Sequence, residues 1–144
     1  MEKRHIGVYG ILRRKNQILL ILKTRGPYVG KFDLPGGGIH HGEGIEEALQ
    51  RELNEEVGLP QRSSKVRFFS AATSITNDQE NGETVSLHHI GLIYEVSGFR
   101  EEDLCFSIQE EDVNGAAWID FSVDERQLSP FAAYVIRKLE CHHV

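Results

Sequence analysis

Apolar and polar positions fall in blocks along the chain, and the period changes from block to block. Residues 5–13 and 17–24 are rich in Ile, Leu, Val and Tyr, with Arg14-Lys15-Asn16 between them, which predicts two strands joined as a hairpin. Ile18 to Leu22 is apolar throughout, the pattern of a strand buried on both faces. Residues 25–38 interrupt this with Pro27, Pro35 and a run of glycines. They predict a loop holding one short strand around Lys31 to Leu34 and ending in a turn at Pro35-Gly36-Gly37-Gly38. Residues 43–57 shift to helical spacing, with Gly58 at the stop and Pro60 beyond it. Residues 65–76 and 84–97 read as strands, joined by the polar stretch Asn77 to Gly82. Residues 100–112 are acidic and loop-like, with room for a turn of helix, and Ala116 to Asp120 reads as a last short strand. Ser129 as N-cap and Pro130 at the first helical position open a second helix to about Cys141, with Phe131, Val135, Ile136 and Leu139 as its contacts. Strands interleaved with two well-separated helices predict an α/β fold, a mixed sheet covered on both faces, in one domain over residues 1–144.

The first helix carries charges where apolar residues belong. At about 100° per residue, Ile45, Ala48, Leu49, Leu53 and Val57 share one face, which should dock on the sheet. Glu52 and Glu56 project inside the same arc and Glu55 lies on its rim. Carboxylates on a docking face are costly unless paired or metal-bound. Glu52 and Glu56 also repel each other one turn apart, and the C-terminal end of a helix disfavours negative charge. Three unfavourable effects on the same residues point to a bound cation, and oxygen-only ligands favour Mg²⁺, with Mn²⁺ as a substitute. Gly36, Gly37 and Gly38 would let a main-chain carbonyl approach such an ion. The alternative is a solvated acidic patch neutralised by Arg51 and lysines.

Composition narrows the class. The chain has 144 residues, 40% hydrophobic and 26% charged, as expected of a soluble globular protein. The net charge of −6 argues against a nucleic-acid polymer as partner. It allows polyphosphate if metal ions lie between the two sets of negative charge. The two cysteines, Cys105 and Cys141, lack metal-ligand spacing to each other; Cys141-His142-His143 leaves only a weak terminal metal site against a frayed tail. No apolar leader or membrane-length run is present, so the expected location is cytoplasmic, with no membrane partner.

Residues 37 to 59 resemble the Nudix box, the signature of the Nudix hydrolases. Every defined position of that pattern is met: Gly37, Glu43, Arg51, Glu52, Leu53, Glu55, Glu56, Gly58 and Leu59. The preceding Gly30-Lys31-Phe32-Asp33-Leu34-Pro35-Gly36-Gly37 resembles the family's lead-in, with Phe32 replacing a common Trp. The resemblance implies an α/β/α sandwich and Mg²⁺-dependent hydrolysis of a diphosphate bond in a nucleoside diphosphate linked to another group. By matching positions, Glu52, Glu55 and Glu56 would be metal ligands, the Gly37 carbonyl would add another, and Glu43 and Arg51 would brace the loop against the helix. The base would be Glu52 or Glu55, or an acid of a later loop, for which Glu110, Glu111 and Asp112 are candidates. Some members carry that acid immediately before the tryptophan of the last strand. Here Ala117 precedes Trp118, so the base is left open.

The box leaves the substrate undetermined, because selectivity comes from loops outside it. Arg25 and Lys31 are candidates to meet phosphate, and Tyr28, Phe32 or Phe69 to stack on a base. His88 and His89 must point to opposite faces of their strand; a packed, hydrogen-bonded core histidine is the favoured reading, a pocket-lining one the alternative. Ile75 and Asn77 stand where ADP-ribose and dinucleoside polyphosphate hydrolases tend to carry proline and tyrosine. These absences favour a nucleoside triphosphate pyrophosphohydrolase. The alternatives are an ADP-ribose or nucleotide-sugar pyrophosphatase, a non-nucleotide diphosphate hydrolase, or a non-catalytic ligand-sensing domain. A homodimer paired through sheet edges or the N-terminal hairpin is left open.

Overall fold

A computed structural model describes residues 1–110 and 112–141. Its elements are β1 (Glu2–Ile11), β2 (Arg13–Arg14), β3 (Gln17–Lys23), β4 (Phe32–Asp33), β5 (Gly36–Gly38), α1 (Ile45–Val57), β6 (Lys65–Glu80), β7 (Glu83–Ser97), β8 (Gln109–Glu110), β9 (Val113–Asp120) and α2 (Pro130–Cys141). Two short 3₁₀ turns lie at Glu101–Asp103 and Glu125–Gln127. No helix is long and apolar enough to cross a membrane among the described residues.

The strands make two hydrogen-bonded sheets. One has the order β5-β1-β7-β6 and is mixed, since β1 runs parallel to β7 and the other pairs are antiparallel. The other has the order β2-β3-β9-β8, with β4 on β3. Both helices cover the seam between them. Val8 and Leu12 on one side join Leu19 and Ile21 of β3 under α1, while Tyr9 and Ile11 join Ile18 and Leu20 under α2. Alternation along β1 and β3 therefore feeds two cores, and the result is an α/β/α sandwich. Ile18 to Ile21 are at most 1% exposed, as a strand covered on both faces requires.

Several elements depart from the expected boundaries. The expected N-terminal hairpin shrinks to Arg13–Arg14 against Gln17–Ile18, because the chain leaves the first sheet at Leu12 and enters the second. The polar stretch after residue 76 continues as strand: Asn77 to Glu80 pair with Glu83 to Ser86, and the turn is only Asn81-Gly82, both at positive φ. Most of that wing is exposed, with Val85 its buried exception, so its polarity marks exposure rather than a loop. Gly36 to Gly38 form a strand on β1, where a turn was expected. Part of the acidic segment is also ordered, as a 3₁₀ turn and β8. Ile45, expected on the docking face of α1, is 41% exposed at the first turn, whereas Ala48, Leu49, Leu53 and Val57 are buried. Leu53→Ala empties a fully enclosed site and should cost about 2–5 kcal/mol in chemical denaturation.

Candidate active site

The site begins with the close approach of β5 to β1 and α1. A Cβ at Gly36 would collide with the Val8 carbonyl, and one at Gly37 would lie 2.7 Å from the Glu52 carboxylate. Only glycine lets this strip of backbone touch both neighbours. The Gly36 N–H donates to Glu56 Oε1 at 2.7 Å, which ties the strand to the far end of the helix.

Arg51 organises the near side. Its Nε and Nη2 donate to the two oxygens of Glu43 at 2.8 and 3.0 Å, a bidentate pair. Nη1 donates to Glu52 Oε1 at 2.9 Å and lies 3.4 Å from Glu55 Oε2, and Nη2 also donates to the Gly38 carbonyl at 2.9 Å. One guanidinium thus joins the loop before the helix, the glycine strand and the helix. It holds the Glu43 carboxyl down to about 2, while these partners push its own pKa above the ordinary range. This is the bracing arrangement expected of Glu43 and Arg51.

The three candidate ligands differ in environment. Glu56 is 5% exposed, and burial, with Glu52 beside it, pushes its carboxyl well above the usual range against the pull of the Gly36 N–H. Burial also raises Glu52, opposed by Arg51. Glu55 is exposed. Arg51 is the cation around which Glu43, Glu52 and Glu55 gather, and among the described residues no three His, Cys, Asp or Glu side chains are already arranged as a metal-holding group. The residues nevertheless fit a hard divalent ion. The donors are carboxylate and carbonyl oxygens, two of the carboxyls are desolvated, and the glycine backbone lies directly on Glu52.

Glu52 faces a cavity of about 470 Å³. Asp33, Asp112 and the strand Gly36–Gly38 lie on its acidic side; His5, Lys23, Arg25, Tyr28 and His89 supply basic and aromatic groups. Of the expected substrate residues, Arg25 and Tyr28 line it. Lys31 and Phe32 do not. Alternation sends Asp33 toward the cavity and leaves Phe32 packed against the α2 core, while Lys31 sits at the base of the loop, its carbonyl accepting from Lys23 N–H. Phe69 also packs on the α2 core. Among the late acids, Glu110 lines a separate shallow cleft with Thr24 and Asn114. Glu111 falls outside the described residues, as do His142 and His143 of the expected terminal site. Asp112 reaches the cavity, where Lys23 pairs with it at 3.0 Å.

His89 is both a packed core histidine and a wall of the cavity, at 4% exposure. Burial, with His5 and Lys23 nearby, lowers its pKa to about 4. Asp33 is buried too. It accepts from Ser129 Oγ at 2.6 Å and Leu34 N at 2.8 Å, and burial raises its carboxyl. Sequence reasoning passed over Asp33, His5, Tyr9 and Lys23. A signal existed for Asp33: it is a lone acid between Phe32 and Leu34, the same misplaced charge that marked Glu52 and Glu56.

A mixed-sheet sandwich with a glycine strand seated on an acidic helix defines the class, and the chain belongs to the Nudix family: the NUDIX domain model matches residues 1–139. Its curated relatives include an ADP-ribose pyrophosphatase of Methanocaldococcus jannaschii, 38% identical over 57% of this chain and 47% of the relative. They also include the nucleoside triphosphatase NudI of Escherichia coli, 33% identical over 66% of this chain and 65% of the relative. The chain thus spans about half to two-thirds of the length of these relatives. A MutT NUDIX hydrolase from Burkholderia pseudomallei shares the fold with a TM-score of 0.66 at 21% identity, over 95% of this chain and 98% of that one. The NUDIX domain of Shewanella oneidensis NrtR, solved with ADP ribose, does so at 0.62 and 15% identity, over 99% and 90%.

Proposed function

We propose that this protein is a Mg²⁺-dependent hydrolase of a diphosphate bond in a nucleotide-type substrate, with nucleoside triphosphates as its first candidates. The observation that carries the reading is the placement of Glu52, pressed against Gly37 and lining the same cavity as Arg25 and Lys23. Glu52, Glu55, Glu56 and the Gly37 carbonyl would hold the metal. When bound, Mg²⁺ supplies charge neutralisation at the diphosphate and eases ionisation of water. The remaining work belongs to the chain. Glu52, its proton affinity raised by burial, accepts the proton of the attacking water; Asp112 is the second group on the cavity able to do so. Arg51 fixes the Glu52 rotamer and the glycine strand together. Arg25 offers positive charge to the phosphates.

A second substrate reading, ADP-ribose, is favoured by the Methanocaldococcus jannaschii relative. The test is release of phosphate or pyrophosphate from a panel of nucleoside triphosphates, ADP-ribose and nucleotide sugars, with Mg²⁺ and with chelator. Release from none of them under Mg²⁺ would remove the proposal. A Glu55→Gln, Glu56→Gln double variant should lose Mg²⁺-dependent turnover yet remain folded, since an amide oxygen at 56 still accepts from Gly36 N–H. Circular dichroism checks the second half of that expectation.

A further inference from the structure

Residues 24–31 form a strap between β3 and β4, and the Tyr28 side chain ties its tip to the protein. Backbone bonds close the base: Gly30 N–H donates to Lys23 O at 2.9 Å, Lys23 N–H to Lys31 O at 3.0 Å and Thr24 N–H to Asp112 O at 2.9 Å. Gly26 and Gly30 take φ values of 83° and 80°, and a Cβ at either would meet nothing within 4 Å. The direction of the chain, not crowding, requires glycine there, so the strap has two hinge positions and open space around them. Tyr28 is the strap's single buried residue, at 6% exposure, while Val29 beside it is 59% exposed.

The Tyr28 hydroxyl lies 2.9 Å from His89 Nδ1, and its ring stacks on the imidazole at 5.8 Å with 17° between the planes. His89 is itself held from two other elements. Its Nε2 lies 2.6 Å from the Tyr9 hydroxyl of β1, and its ring packs on Phe131 of α2 at 4.5 Å between centroids. The strap is therefore fastened to a group with no freedom of its own. Arg25, on the same strap, lines the cavity that Glu52 also borders.

We infer that Tyr28 is a positioning residue: its bond to His89 fastens the strap so that Arg25 stands in place over the cavity before substrate arrives. A fastened strap spares the substrate the cost of ordering it. An unfastened one reduces the population competent to bind and leaves the chemistry at Glu52 untouched, so the effect falls on KM and not on kcat. The substrate half of this inference rests on the diphosphate reading; the mechanical half does not.

Tyr28→Phe removes the hydroxyl and keeps the ring. Loss of one neutral hydrogen bond should raise KM for the best panel substrate about three- to tenfold, with kcat within about twofold. The same opening exposes Arg25-Gly26 and Lys31-Phe32 to trypsin, so native-state cleavage at those two bonds should quicken by a similar factor while cleavage at other sites does not. Val29→Ala, an exposed neighbour, should move neither quantity. Unchanged cleavage in Tyr28→Phe overturns the fastening. Faster cleavage with unchanged KM overturns the positioning role. If the wild type turns over no nucleotide, the proposed function fails, and the cleavage rates still decide whether Tyr28 holds the strap.

Discussion

Glu52→Gln should lower kcat by about 100- to 10,000-fold, the range expected when a positioned proton acceptor is lost, and leave the protein folded and no less stable. Of the three candidate metal ligands on the helix, only Glu52 borders the cavity; Glu55 is turned to solvent and Arg51, and Glu56 is buried against Gly36. Burial makes Glu52 a better base than a free carboxylate, and Arg51 limits that shift without cancelling it. The amide keeps the volume and still accepts from Arg51 Nη1, so the brace to Glu43 and Gly38 survives. It also removes a desolvated charge one turn from Glu56, which should offset any loss of pairing. Single-turnover rates at saturating Mg²⁺ separate this loss from weakened metal binding, which a Mg²⁺ titration reads independently. Asp112→Asn is the matched comparison. If Glu52→Gln keeps kcat within threefold while Asp112→Asn abolishes it, the proton goes to Asp112 and Glu52 serves the metal alone.

The parts of this molecule legible in the sequence are those where one residue's environment contradicts its chemistry. Acids on the docking face of α1 stood out in the sequence as candidates, because a buried carboxylate needs a partner. The two helices and the doubly buried β3 were legible for the converse reason: their periodicity and burial agree. What escaped was set by pairing between distant segments. Leu12 looks like the middle of a strand, yet there the chain changes sheets, because β1 finds β7 while Arg13 finds β3. Asn77 to Glu80 look like a loop because three of the four are exposed and none is apolar. Other lining residues come from β1, the strap and β7, brought together by the parallel pairing of His5 with His89 and by the Tyr28–His89 contact. No local rule links those residues, and so Arg25 and Tyr28 could be proposed only alongside Lys31 and Phe32, which point elsewhere.

His89 should make the fold lose stability as pH falls from about 6.5 to about 4, by on the order of 3 kcal/mol. Its imidazole is neutral in the folded protein down to about 4, whereas in the unfolded chain it takes up a proton near 6.5. Between those values the unfolded state binds the extra proton, so acid favours unfolding; below about 4 both states are protonated and the loss is complete. The neutral ring suits its place, with one nitrogen donating and the other accepting between the Tyr9 and Tyr28 hydroxyls. A protonated ring would donate to both and sit charged beside His5 and Lys23. Glu56 and Asp33 act in the opposite sense, because their raised carboxyls favour the folded state as pH falls. They are common to a His89→Gln variant, so the difference between wild type and variant isolates the histidine together with its effect on His5. Urea denaturation of both proteins at several pH values from 7 to 4 should show the wild type losing its advantage steadily. A difference that stays constant over that interval would mean that His89 is not the buried neutral base the geometry makes it.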